Sequence, residues 1–242
     1  MTERLSAHGL TLRFGRIRAV DDFSFSVKRG EILGIIGPNG AGKSTAFDLL
    51  SGSRKPDKGR VLFDGMDITH ESPQRRCRLG IGRTHQVPRP FENMTVYENA
   101  LVAAVNGGER SGRNARNDIH DLLDRFGLLS KKDVFARELS LVERKLLEIA
   151  RCLATGPTLM LLDEPVAGVG GEDQDRIVRI VADVRDKGVT IVWIEHIITV
   201  MTEAVDRLLV MAQGRELIGG PPERVMNTRE VLEAYLGPEG EQ

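Results

Sequence analysis

The chain has 242 residues, 40% of them hydrophobic and 29% charged, and a formal net charge of −1. That is the composition of an ordinary soluble chain, long enough for one large domain or two small ones. The near-neutral balance argues against a generally basic nucleic-acid binder, and no apolar run reaches the ~18 residues of a membrane span.

The opening MTERLSAHGLTLRFG has no apolar signal core. LTLRFGRIRAVDDFSFSVKRG (10–30) alternates apolar and polar residues, predicting antiparallel strands. EILGIIG (31–37) is a short apolar run closed by glycine, the pattern of a buried strand. A helix follows over 43–50, and GRVLFDGMDI (59–68) reads as a strand of a more exposed sheet. From 72 to 134 the pattern is mainly helical and polar, with NGGERSGRNARND (106–118) the most loop-like piece. The basic run RRCR (75–78) reads as a solvated helix face. In ELSLVERKLLEIARCL (138–153), Leu146, Leu147, Ile149, Ala150 and Leu153 fall at helical spacing, and Ser140 with Glu143 fits a capping box. Cys152 lies beside that apolar stripe and reads as a core residue; with Cys77 it has neither metal spacing nor a disulfide framework, which fits a reducing compartment. LMLLDEP (159–165) is a second buried strand, followed by a helix over 172–187, a strand VTIVWIEH (189–196), a helix after His196, a hairpin RLLVMAQGRELIGG (207–220) around Gly214 and a last helix over 222–235. There is no internal repeat. Alternating strands and helices with continuous apolar strands predict an α/β fold: a mostly parallel sheet covered on both faces, with an N-terminal antiparallel β subdomain and an inserted helical subdomain.

GPNGAGKST (37–45) fits G-x-x-x-x-G-K-[ST] between a predicted strand and a predicted helix, the setting a phosphate-binding loop requires. In such a loop the backbone amides of Gly37, Pro38, Asn39, Gly40, Ala41, Gly42 and the residues after them, Pro38 excepted for lack of an N–H, curl round phosphates at a helix N-terminus. Lys43 is then expected to reach the β/γ-phosphates, and Ser44 beside Thr45 to hold Mg2+, which prefers hard oxygen ligands. A G-x-G-x-x-G fingerprint is absent, because the third residue after Gly42 is Thr45, and this argues against a hydride-transfer enzyme. Asp163 and Glu164 end a buried strand, where ligands bind in such sheets. Alone the pair would read as a cap or turn; beside a phosphate loop, Asp163 reads as a Mg2+ support and Glu164 as the base that polarises an attacking water. His196 ends the next strand and by itself reads as a cap or donor. Gln86 alone is uninformative, and His85 is a lower-ranked polar alternative.

The order of phosphate loop, Gln86, LSLVERK before a helix, LLDEP and then His196 resembles the nucleotide-binding subunit of ABC transporters, from Leu10 to Gly237. The resemblance implies one ABC ATPase domain over 1–242: a nucleotide-binding core with β subdomain at about 1–85 and 158–242, and a helical subdomain at about 86–157. It implies ATP and Mg2+ as ligands, Phe14 stacking on adenine, Gln86 sensing Mg2+ and the membrane subunit, and His196 contacting the γ-phosphate. It implies two chains closing head-to-tail on two ATP molecules, with Ser140 of one facing the phosphate of the other. LGIGRTHQVPRPFENMTVYENALVA and the text from EHIITV onward resemble most the ATPase subunits of branched-chain amino acid importers and their urea and amide relatives. The implied setting is the cytoplasmic face of the membrane, with permease subunits, a second ATPase subunit, a substrate-binding protein indirectly, and no nucleic acid. The alternatives are a lipopolysaccharide-export type ATPase and a weakly hydrolysing regulatory subunit. ABC ATPases acting on DNA or ribosomes carry long coiled-coil insertions or fused cassettes, which this chain lacks.

The chain departs from the family at two places. The signature L-S-G-G-Q appears as Leu139, Ser140, Leu141, Val142, Glu143, so both glycines that let a backbone approach phosphate closely are gone. After LLDEP, VAGVGG (166–171) replaces a loop that carries an acid or amide, and Ile197 follows His196 where an Asp is common. These departures lead us to expect a heterodimer over a homodimer, with one strong site made by this chain's phosphate-loop half.

Overall fold

The computed structural model describes residues 2–107 and 113–236. Two sheets organise the chain. The first is antiparallel, in the order β2(Ile17–Lys28)-β1(Glu3–Phe14)-β4(Lys58–Phe63)-β5(Met66–Asp67). The second runs β10(Arg215–Gly220)-β9(Arg207–Ala212)-β3(Ile32–Ile36)-β8(Thr190–Ile194)-β7(Leu159–Asp163)-β6(Ile81–Arg83), with every neighbouring pair parallel except β10 against β9.

The central strands are buried on both faces, as their unbroken apolar runs require. Successive side chains point to opposite faces. Ile32, Ile36, Met160, Leu162, Ile191 and Trp193 therefore join the core under the helices, while Leu33, Ile35, Leu159, Leu161, Val192 and Ile194 join the core shared with α1(Lys43–Ser51) and the antiparallel sheet. Each fully buried aliphatic side chain of this kind contributes about 1.5–3 kcal/mol.

Between β6 and β7 lie α3(Val96–Gly107), α4(Arg113–Arg125) and α5(Leu141–Ala154). The stretch 106–118, expected as a loop, is helical at both described ends, Gly107 closing α3 and α4 starting at Arg113; 108–112 fall outside the described residues. The glycines and charges masked an apolar stripe further along α4, where Ile119 and Leu123 are buried, continued by Phe126 just past its end. The single helix expected over 222–235 is two, α8(Pro222–Met226) and α9(Arg229–Leu236), parted where Thr228 Oγ1 donates to the Val225 carbonyl at 2.7 Å. The strand β6, three residues long, was not foreseen.

The basic run 75–78 also differs from expectation. It lies on α2(Pro73–Arg78), where Arg75 and Arg78 are exposed but Arg76 is 1% exposed. Arg76 donates to five carbonyls: Leu49 at 2.6 Å and Leu50 at 2.7 Å at the end of α1, Ile68 at 2.6 Å, Thr69 at 2.9 Å and Glu71 at 3.2 Å. Burial pulls its guanidinium down to about 10, still charged at neutral pH. A cation at the C-terminal end of α1 satisfies carbonyls that the helix leaves open.

Candidate nucleotide site

Parallel pairing explains how distant segments meet. The strands β3, β8, β7 and β6 are neighbours in that order, and all four end on the same side. Their ends carry the 37–45 loop, His196, Glu164 and Gln86. Ligands bind at the carboxyl ends of strands in such sheets.

The loop turns from β3 into α1. Gly42 is the N-cap of α1 at φ 99°, and a Cβ there would collide with the Ala19 carbonyl; one on Gly37 would collide with that of Met211. Glycine is therefore required at both places. The hairpin turn before β10 braces the loop, since Gly214 N donates to the Ala41 carbonyl and Asp21 N to the Gly214 carbonyl, each at 2.9 Å. Lys43 is buried, and its Nζ donates to the loop's own Gly37 carbonyl at 2.6 Å and Pro38 carbonyl at 3.0 Å. Burial lowers the Lys43 ammonium, against the pull of Glu164 and Asp163.

A cleft of about 330 Å³ lies over this loop. Asn39, Gly40, Ala41, Gly42, Lys43, Ser44 and Thr45 line one side, Gln86 and Glu164 the other. The third wall is Ile17, Arg18 and Ala19. Phe14 sits outside that lining, with the Arg54 guanidinium 4.9 Å from its ring centroid. Phe14 pairs with Ile17 across the β1–β2 turn, and it is the far side of the turn that faces the cleft.

Glu164 adopts φ 48°, uncommon outside glycine and a form of strain found at functional sites. Neighbours hold it there: its N–H donates to the Ile194 carbonyl at 2.9 Å, and its carbonyl accepts from Lys145 Nζ at 3.0 Å. Its Oε2 accepts from Gln86 Nε2 at 2.7 Å and lies 3.8 Å from His196 Nδ1. Asp163 is buried; its N–H donates to Thr84 Oγ1 at 3.1 Å, and its Oδ2 meets Arg83 Nη2 at 3.3 Å. Arg83 in turn reaches Asp48 Oδ1 at 2.7 Å and Ser51 Oγ at 2.8 Å. Burial pushes the Asp163 carboxyl up while Arg83 draws it back. Its Oδ1 is buried without a hydrogen-bond partner.

The signature segment does not reach this cleft in its own chain. Ser140 caps α5 as expected: its Oγ accepts from Glu143 N at 3.3 Å, and Glu143 Oε2 accepts from Ser140 N at 2.9 Å. Glu143 Oε1 also pairs with Lys131, so its charge is turned back into the cap. Val142 packs against the core under the helices, whereas Leu141 is 48% exposed and would touch a Cβ on Gly168 at 3.6 Å. The altered helix start and the altered 166–171 loop therefore share one face.

The residues not foreseen as contributors include Ile17, Arg18 and Ala19 in the wall, Arg83 and Thr84 on Asp163, Lys145 beneath Glu164, and Glu195, whose carboxylate accepts from the His196 and Val166 amides. The last had a signal, a carboxylate in the apolar run VTIVWIEH.

The profile of the ABC transporter family matches residues 20–167. The high-affinity branched-chain amino acid transport ATP-binding protein LivG of Escherichia coli K12 is 37% identical, over 96% of this chain and 97% of that one. The lipopolysaccharide export system ATP-binding protein LptB of Haemophilus influenzae is 34% identical, over 96% of this chain and 97% of that one. The solved ADP conformation of an ATP-binding cassette of an ABC transporter superposes with a TM-score of 0.90 at 34% identity, covering 98% of this chain and 100% of that one. A phosphate loop, a strand-end acidic pair and a strand-end histidine, in this topology and with this similarity along nearly the whole chain, make the protein a member of the ABC transporter family, an ATP-binding cassette.

Proposed function

We propose that this chain is the ATP-hydrolysing motor subunit of an importer for branched-chain amino acids or related amides, seated against permease subunits at the cytoplasmic face of the membrane. The observation that carries the hydrolytic part is the convergence of Lys43, Gln86 and Glu164 on one cleft, with His196 beside Glu164. The substrate class and the permease partners rest on similarity to relatives named for branched-chain amino acid transport. Among the described residues no helix is long and apolar enough to cross a membrane, which is consistent with attachment through another subunit.

In this reading the amides of Gly40, Ala41 and Gly42 and the Lys43 ammonium take the phosphates of ATP, Lys43 exchanging the Gly37 and Pro38 carbonyls for phosphate oxygens. Ile17, across the turn from Phe14, would lie toward the adenine. Ser44 Oγ, Asp163 and Gln86 would hold Mg2+, which neutralises charge on the phosphates when bound. Hard oxygen donors suit that ion, and the unpartnered Asp163 Oδ1 supplies one. Glu164 orients and deprotonates the attacking water, and His196 donates to the γ-phosphate as it departs. Closure and reopening of a pair of cassettes would move the permease.

We read the domain as a single unit over 1–242, with the core and β subdomain near 1–85 and 158–242 and the helical subdomain near 86–157. Ser140 would face the ATP of a partner cassette. Leu141, exposed where a glycine is usual, holds that partner's phosphates off the α5 N-terminus, so a heterodimer with one strong site follows.

Uptake of labelled leucine, isoleucine and valine by cells lacking this chain tests the function. We expect wild-type chain to restore uptake and Lys43→Ala to leave it at background. Unrestored uptake, with normal lipopolysaccharide delivery made dependent on the chain, would move it to the export branch represented by the Haemophilus relative.

A further inference from the structure

Two carboxylates and a serine from separate segments meet on one guanidinium. Arg83 ends β6, and its side chain is largely buried. Its Nη2 donates to Asp163 Oδ2 at 3.3 Å, while Nη1 donates to Asp48 Oδ1 at 2.7 Å and to Ser51 Oγ at 2.8 Å. Nε is buried with no hydrogen-bond partner, so the two Nη groups alone fix the fork. One arm therefore holds the end of β7 and the other holds α1. Asp48 lies four residues after Ser44 on α1, one turn along the same helix face. The other oxygen of Asp48 accepts from Arg54 at 3.3 Å. Ser44 and Asp163, the two groups read as Mg2+ donors, are thus joined through Arg83 and Asp48. The Asp163 carboxylate is engaged on one side only: Oδ2 meets Arg83, and Oδ1 is buried and unpartnered. A buried oxygen left in that state is costly unless a ligand completes it.

We propose that Arg83 is a positioning residue for the divalent cation: it engages Asp163 through Oδ2, leaving Oδ1 as the oxygen offered to the metal, and through Asp48 it fixes the spacing between Asp163 and Ser44. The inference rests on the reading of Ser44 and Asp163 as the Mg2+ groups. A planar fork suits the place, because it spans acceptors on two segments, whereas lysine carries its charge on a single point. Groups that orient a metal's ligands are worth about 10–100-fold in metal affinity. The charge of Arg83 works the other way, since it repels a cation. An arginine that only neutralised Asp48 and Asp163 would be replaced by lysine with no loss at the metal.

The test is the Mn2+ affinity of the purified full chain saturated with ADP, read from the electron paramagnetic resonance signal of free Mn2+. ADP affinity with the metal chelated and the urea midpoint are measured alongside. Arg83→Lys keeps the charge and loses the fork; it should weaken Mn2+ binding about tenfold and leave metal-free ADP affinity within about twofold, because the 37–45 loop keeps its own contacts. Arg83→Gln separates the two roles by sign and serves where the lysine variant does not fold: lost orientation weakens Mn2+ binding, whereas lost charge alone tightens it. Mn2+ binding unchanged or tighter in Arg83→Lys, or tighter in Arg83→Gln, overturns the proposal, whatever the urea midpoint does. Asp163→Asn should weaken Mn2+ binding more than either. Indifference to Asp163→Asn would take Asp163 off the metal and the proposal with it, whereas an effect at Asp163 with none at Arg83 sinks the proposal alone.

Discussion

Glu164→Gln is expected to reduce ATP turnover of the assembled transporter by about 10²–10⁴-fold, the contribution of a positioned general base. ATP binding should persist. Glutamine keeps the side-chain volume and an oxygen for Gln86 Nε2, now 2.7 Å away, and loses only the charge that draws a proton from water. The phosphate-binding groups lie on the 37–45 loop and are untouched. Removing a negative charge that faces the triphosphate should leave affinity equal or higher. The φ of 48° is held by the backbone bonds to Ile194 and Lys145, which the substitution preserves. Phosphate release and nucleotide binding, measured on the same preparation, check both halves. A loss under tenfold would mean that another group activates the water.

Arg76→Met should destabilise the chain by about 2–5 kcal/mol, although in the sequence this residue reads as part of a solvated basic run. Two effects compete. Removing the guanidinium recovers its desolvation cost, about 3 kcal/mol from its lowering toward 10. It also removes a donor from five carbonyls; those of Leu49 and Ile68 keep the Gly52 and Glu71 amides, while those of Leu50, Thr69 and Glu71 lose their partner, at about 1–3 kcal/mol each when buried and unsatisfied. The second sum is larger, and methionine fills the volume without supplying a donor. Lysine has three donors on a point charge and should fall between the two. Because Arg76 closes the far end of α1, whose first turn carries Lys43, Ser44 and Thr45, ATP affinity should weaken along with stability. Urea midpoints for the three proteins give the order directly. Arg76→Met as stable as wild type would mean that desolvation cancels the bonds.

What could be read from sequence follows from how locally each feature is determined. The buried strands β3, β7 and β8 announce themselves because both faces need apolar residues, and the capping box of α5 because Ser140 and Glu143 need only each other. The phosphate loop is legible because its glycines answer to local sterics. The strand β6 was illegible: its three residues, Ile81, Gly82 and Arg83, carry no pattern, and their pairing with β7 is entirely tertiary. Yet it is β6 that brings Gln86 to Glu164. Arg76 looked like a solvated charge because its acceptors lie on α1 and on the segment after β5, distant in sequence or hidden in the backbone. Glu195 is intermediate. An acid in an apolar strand must have a partner, but only the fold shows that the partners are His196 and Val166.

The account turns on a cassette whose phosphate-loop half is complete and whose signature half is not. The most direct measurement is ATP hydrolysis per molecule by the purified chain alone, as its concentration is raised, with Glu164→Gln as the blank and with Leu141→Gly, Val142→Gly alongside. The account predicts Mg-ATP binding with turnover near the blank for the natural chain, and turnover that climbs with concentration once both glycines are restored. Turnover of the natural chain that climbs with concentration and is unmoved by the glycines would contradict it, because Leu141 would then be no obstacle to a working homodimer.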